Sequence, residues 1–234
     1  MKSTPDEIRK RFDADVERFS NVETGQTATM DSALALDLIE QCIHAMHADA
    51  KRVCDIGCGA GNFSLRVLRG VPGISCTLID LSSNMLAKAQ ERIIAAGGTV
   101  DSAYQEDIRS LALPPNSFEI IIAAAVLHHL RSEEEWRAVL KNIHTALREG
   151  GTFWIWDLVT YDYSRIDEIQ RNRYANYLTA LQDKAYQEQV FSYIEREDTP
   201  VSSSFIFRSM LEAGFSEVEI IHKNSQFCAL YGKK

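Results

Sequence analysis

The residues able to do chemistry gather around "VCDIGCGAGNFS", Val53 to Ser64. An apolar run ends at Asp55, and Gly57, Gly59 and Gly61 then take alternate positions before a helix-like segment. Glycine loses the most conformational entropy on folding, so three together mark a backbone that turns sharply or that something approaches closely. At a strand-to-helix turn in a parallel sheet, that something is a ligand lying outside the strands' carboxyl ends. Nucleotides are the expected guests. The loop continues "NFS", without the Lys-Ser or Lys-Thr of a phosphate-cradling P-loop. Its spacing is G-x-G-x-G, not the dinucleotide G-x-G-x-x-G.

Two carboxylates narrow the choice. Asp55 would repel a pyrophosphate but suits an ammonium or a hydroxyl. Asp80 closes the next apolar run, "LID", about 20 residues on, where an acid can accept hydrogen bonds from ribose hydroxyls. The ligand so described is an adenosine with a free ribose diol, no phosphates and a cationic amino-acid-like tail. S-adenosyl-L-methionine meets each condition.

These residues need elements to hold them. "RVCDI", "ISCTLID", "TVDSAYQ", "FEIIIAAAV" and "TFWIWDLV" read as strands. Between them lie helical segments: "GNFSLRVLRG", "SSNMLAKAQERIIAA" capped by Ser82 or Ser83, and "SEEEWRAVLKNIHTALREG" with a Ser132 cap and a glycine stop. Alternating strands and helices predict right-handed crossovers and a parallel sheet covered on both faces. "SEVEIIHK" and "QFCALYGKK" are joined by a short loop and should pair antiparallel. The fold class is therefore α/β, a Rossmann-like, seven-stranded, mostly parallel sheet with an antiparallel C-terminal hairpin strand. Ahead of it stand two helical segments, one from Pro5 or Asp6 to about Phe19, the other opening at Asp31 or Ser32, with a polar loop between. Thr160 to Ser204 forms a long helical insert rich in Tyr and Arg. A single domain, 1–234, then divides into a helical cap (1–50), a cofactor-binding core (51–158), an insert or lid (160–204) and a C-terminal helix and hairpin (205–234).

"VCDIGCGAGNFS", "LIDLSSNMLAKA", "QEDIRSL", "FEIIIAAAVLHHL" and "LREGGTFWIWDL", in this order, resemble the class I S-adenosylmethionine-dependent methyltransferases over roughly Lys51 to Leu158. The resemblance implies that Asp55, Gly57, Gly59 and Gly61 hold the methionine end, with Cys58 among them. It implies that Asp80 holds the ribose, Leu81 lies beside the adenine, Met85 packs against adenine or ribose, Asp107 and Ile108 read the adenine edge, and Ala124 and Ala125 flank the methionine portion. It also implies methyl transfer by direct displacement, which needs alignment and exclusion of water more than a nucleophilic side chain. The acceptor pocket falls to the unshared parts: the N-terminal segment around Phe12, Phe19 and Met30, His128 and Asp157 after the fourth and fifth strands, and Tyr161 and Tyr174 of the insert. The tandem histidines, His128 and His129, read as structure or pocket lining in preference to a metal site. His44 and His47 share a helix face without a supporting carboxylate.

Composition sets the outer bounds. A hydrophobic share of 45% and a charged share of 25% are those of a globular chain. The net charge of -8 disfavours broad, salt-driven binding to nucleic acid or anionic membrane. Five cysteines without a CxxC pair point to a reducing, cytoplasmic setting without disulfides or structural zinc. The charged N-terminus has no signal-peptide core, and no apolar run reaches membrane-spanning length. The expectation is a cytoplasmic methyltransferase with a small-molecule acceptor. Two alternatives stay open: a carboxy-S-adenosylmethionine synthase-like enzyme of tRNA modification, and a non-catalytic S-adenosylmethionine-binding protein. A third, an NAD-dependent oxidoreductase, is opposed by the glycine spacing, Asp55 and the hairpin. The insert's tyrosines leave two roles open, a lid and a homodimer contact.

Overall fold

Strand β5 (Leu147–Leu158) shows how the sequence builds two cores from one sheet. Side chains alternate across a strand, so Trp154 and Trp156 pack in one apolar cluster while Phe153 and Ile155 pack in the other. The computed structural model describes residues 2–14, 16 and 27–234. Around β5 the sheet runs in the order β3-β2-β1-β4-β5-β7-β6. Its members are β1 (Arg52–Ile56), β2 (Ser75–Asp80), β3 (Thr99–Gln105), β4 (Phe118–Ala124), β5, β6 (Glu217–Asn224) and β7 (Phe227–Lys233). The first five strands are mutually parallel, and β7 is antiparallel to both β5 and β6. The seven-stranded sheet and its hairpin are as expected.

Helices α1 (Pro5–Ala14) and α2 (Ser32–Met46) precede the sheet, and α3 (Asn62–Gly70), α4 (Ser83–Ala95) and α5 (Glu133–Ala146) join its parallel strands. The insert is α6 (Ser164–Leu181) and α7 (Lys184–Glu197), followed by α8 (Ser203–Ala213). One core cluster joins α2, α3, α4 and α6 to Val53, Leu78 and Ile120; the other joins α5 and α8 to Cys54, Ile79 and Ile121. Ser82 and Ser132 cap α4 and α5 by accepting from the Met85 and Glu135 N–H groups, satisfying donors a helix start leaves unpaired.

One expectation changes. The helix expected to run to Gly150 stops at Ala146, because Asn116 and Ser117 N–H groups take the Thr145 and Ala146 carbonyls and turn the chain into β5. α2 opens at Ser32 behind Asp31, as expected; the Asp31 side chain makes no cap hydrogen bond, and its Oδ2 accepts from His222 Nε2 and Asn224 Nδ2. The extension of the first helix to Phe19, the wall role of Phe19 and most of the polar loop lie outside the described residues.

Candidate functional site

The carboxyl ends of β1, β2 and β4 open into a cleft of about 220 Å³. Asp55, Gly57, Cys58, Gly59, Asp80, Leu81, Met85, Ile108, Ala124 and Ala125 all line it. Gly57 and Gly59 both take positive φ, +64° and +49°, for different reasons. A Cβ on Gly57 would sit 2.4 Å from Val126 Cγ2, whereas a Cβ on Gly59 would meet nothing within 4 Å. Gly57 thus lets the turn after β4 pack down, and Gly59 leaves room above the loop. Gly61, the left-handed residue before α3, backs onto Ala89 and does not line the cleft.

The two carboxylates hold the loop as well as facing the cleft. Asp80 Oδ2 accepts from the Gly59 N–H at 2.9 Å and Oδ1 from the Ser82 N–H at 2.9 Å. Asp55 Oδ2 accepts from Ser64 Oγ at 2.7 Å and from the Ser64 N–H at 3.2 Å. Burial pushes the Asp55 carboxyl up to about 7, against the opposing Ser64 hydrogen bonds, and also raises Asp80. Buried in this way, both carboxylates resist ionisation. A positively charged ligand group would relieve that.

Asp107 stands apart from the cleft lining. Its carboxylate is clamped by Arg109, from Nε at 2.9 Å and Nη2 at 2.5 Å. Burial raises this carboxyl, but the Arg109 hydrogen bonds prevail and leave it below the usual range. The neighbours that reach the cleft are Glu106, Ile108 and Arg109. Sequence reasoning did not place Arg109, Val126 or Leu130 there. Ile8 and Phe12 of the N-terminal helix line the cleft, and Asp13 accepts from Ser82 Oγ by its carboxylate and from Asn84 Nδ2 by its main-chain carbonyl at the start of α4.

A second cavity, about 460 Å³, adjoins the first. Phe12, Thr29, Ala125 and His129 line both. Its remaining wall includes His128, Trp156, Asp157 and Tyr174, together with Tyr186, Tyr193 and Asp198 from the insert. His128 Nδ1 bonds to Asp157 Oδ1, and Asp157 also accepts from the N–H groups of Leu127, His128 and Leu158. Burial lowers the His128 imidazole, but Asp157 and Asp198 outweigh that and hold it at about 9. Burial, aided by the neighbouring His128, pushes His129 well below its ordinary value. Tyr161 does not belong to either cavity. Its hydroxyl donates to the Ser225 carbonyl and Lys223 Nζ lies 3.7 Å from its ring centre, which holds it against the β6–β7 turn.

Gly57→Ala is expected to destabilise the fold by about 2 kcal/mol, the cost of a left-handed non-glycine residue, with Val126 displaced in addition. Gly59→Ala carries the backbone cost without a clash, so urea unfolding should rank Gly57→Ala as the less stable. Equal stabilities would contradict the packing role.

Comparison with known proteins bears on this arrangement. Residues 53–151 match the family model described as a methyltransferase domain. A malonyl-[acyl-carrier protein] O-methyltransferase of Paenibacillus sp. (strain JDR-2) is 26% identical over 65% of this chain and 54% of its own length. An indolepyruvate C-methyltransferase of Streptomyces griseus is 31% identical over 74% of this chain and 50% of its own. The chain thus spans about half the length of these curated relatives. Among solved structures, the magnesium protoporphyrin IX methyltransferase of Synechocystis PCC 6803 with bound S-adenosylhomocysteine superposes with a TM-score of 0.66. It is 16% identical, over 98% of this chain and 99% of that one. That likeness is one of fold. Among the described residues no helix is long and apolar enough to cross a membrane.

Proposed function

We propose that this chain, which carries a class I, Rossmann-like S-adenosylmethionine-dependent methyltransferase domain of unassigned family, transfers a methyl group to a small molecule. The observation that carries the reading is the open space over Gly59, set between Asp55 and Asp80 in one cleft and sharing four wall residues with a second cavity. The donors present suit S-adenosylmethionine: carboxylates for a cationic tail and a ribose diol, and Leu81, Met85 and Ile108 as apolar contacts for a base. When bound, that cofactor supplies a methyl group on a cationic sulfur, and the departing thioether is neutral.

The protein's own task is binding, alignment and exclusion of water. Asp55 meets the positive tail, and Asp80 fixes Gly59 while facing the ribose side. Phe12 and His129, common to both cavities, set where the two ligands meet. The second cavity falls within the usual range for small-molecule pockets, and its aromatic wall suits a planar acceptor. The related proteins that methylate a malonyl carrier protein and indolepyruvate support a carbonyl-containing acceptor. The insert then acts as the pocket's outer wall and α1 as its inner one, within a single domain.

Calorimetry tests the reading. S-adenosylmethionine and S-adenosylhomocysteine should bind and NAD should not; the reverse would overturn it. Asp80→Ala should weaken binding about 10- to 150-fold, as hydrogen bonds to a charged group are worth about 1.5–3 kcal/mol. Unchanged affinity would remove Asp80 from the site. Incorporation of label from the methyl donor across metabolite pools would then identify the acceptor.

A further inference from the structure

The turn after β4 and the end of the insert bring together three groups that the methyl-transfer reading does not use as a set. His128, His129 and Asp198 each offer a ligand atom, and the three atoms lie within 4.8 Å of one another. Asp198 Oδ1 stands 3.3 Å from His129 Nδ1 and 3.7 Å from His128 Nε2. Donor atoms around a tetrahedral ion with bonds of 2.0–2.1 Å are separated by about 3.3 Å. The two carboxylate–imidazole distances are within a few tenths of an ångström of that spacing, and the two imidazole nitrogens lie within 4.8 Å of each other.

Two further observations point to a ligand. Asp198 is 5% exposed, and its Oδ1 has no hydrogen-bond partner; neither has His129 Nδ1. A buried carboxylate oxygen without a donor is costly. Lys2 Nζ bonds to the Asp198 main-chain carbonyl, Arg131 to the Glu197 carbonyl and Thr199, and Arg11 to Glu197, so none of the three bonds to Oδ1, and His128 Nε2 stands beyond hydrogen-bond distance at 3.7 Å. His128, in turn, is oriented as a metal ligand usually is. Its Nδ1 is engaged by the Asp157 carboxylate, leaving Nε2 directed toward Asp198, the carboxylate–histidine arrangement that fixes tautomer and ring plane.

We propose that His128 Nε2, His129 Nδ1 and Asp198 Oδ1 form a binding site for a divalent transition-metal ion. Two imidazoles and one carboxylate suit zinc, cobalt, iron or manganese better than calcium or magnesium. All three ligands line the second cavity, so the ion's remaining positions face whatever that cavity holds. Reading the sequence favoured a structural role for the histidine pair. Asp198, far away in the chain, changes the reading.

Chelator-stripped protein, without any methyl donor, should be titrated with cobalt(II) and zinc(II). Expected are one ion per chain by calorimetry and cobalt absorption of a nitrogen- and oxygen-ligated centre. His129→Gln and Asp198→Asn, checked for folding by circular dichroism, should each weaken binding at least tenfold. Absence of binding to the folded parent protein would overturn the site. So would thiolate-to-cobalt charge-transfer bands, which would assign the ion to cysteine, or affinities unchanged in both variants. Because no cofactor is present, failure here is separable from failure of S-adenosylmethionine binding.

Discussion

Asp157→Ala is expected to cost the fold about 3–5 kcal/mol, the range for removing one partner of a buried charge pair. Asp157 is 1% exposed and accepts from His128 Nδ1 and from three main-chain N–H groups. Alanine would leave those donors without their acceptor and the His128 imidazole beside Asp198 alone. The loss should appear in metal-free buffer as a lower urea midpoint at unchanged slope. Asp157→Asn retains an oxygen acceptor and should cost less. A loss below about 1 kcal/mol for alanine would mean that the Leu127–His129 turn does not depend on this carboxylate.

The second large effect is a pH dependence at Asp55. Its carboxyl is raised by burial to about 7, from an ordinary value near 3.8. Between these values the folded chain holds a proton that the unfolded chain has lost. Stability from this group therefore falls as pH rises through that window, by about 1.4 kcal/mol per pH unit, or on the order of 4 kcal/mol in all. The groups acting on Asp55 are the Ser64 hydroxyl and N–H, which oppose the rise, and Asp80, which adds to it. Asp55→Asn removes the titration, so the variant's stability relative to the parent should climb from pH 4 to pH 7. Parallel pH profiles would contradict a raised Asp55. Calorimetry at pH 6 in buffers of different ionisation enthalpy should also show proton release when a cationic ligand binds the parent, and none with Asp55→Asn.

Much of the candidate cleft was legible because its parts are close in the chain or follow a repeating plan. Gly57, Gly59 and Asp55 share one turn, and Asp80 follows at the distance one β–α–β unit imposes. The parallel strands and the antiparallel hairpin were legible for the same reason, since strands alternating with helices need crossovers and two strands on a short loop pair antiparallel. Asp107 holds the position the motif gives it, but Arg109 two residues on takes its carboxylate, and no spacing rule reveals which neighbour wins a side chain. Tyr161 was drawn from an aromatic-rich segment whose individual members point differently; Tyr174 reaches the second cavity, whereas Tyr161 turns to Ser225. The meeting of Asp198 with His128 and His129 left no local signal, because it depends on how two helices of the insert return over β5. Helix ends were readable where a serine cap marks them and less so at Ala146, where a distant pair of N–H groups ends the helix.

The place of β7 has a consequence for synthesis. β6 is made before β7, yet β7 is the strand that joins β6 to the rest of the sheet. While Phe227–Lys233 is still inside the ribosome, β6 has no strand to pair with and β5 presents an open edge. That edge presents unpaired N–H and C=O groups flanked by apolar side chains, Phe153 and Ile155 on one face and Trp154 and Trp156 on the other, and can recruit a strand from another nascent chain. Translation at about 5–20 residues per second makes the interval short but unavoidable. Crowded polysomes, where such edges meet most often, are where this chain would be most prone to aggregate, and a chaperone that shields β5 until β7 emerges would protect it at that stage.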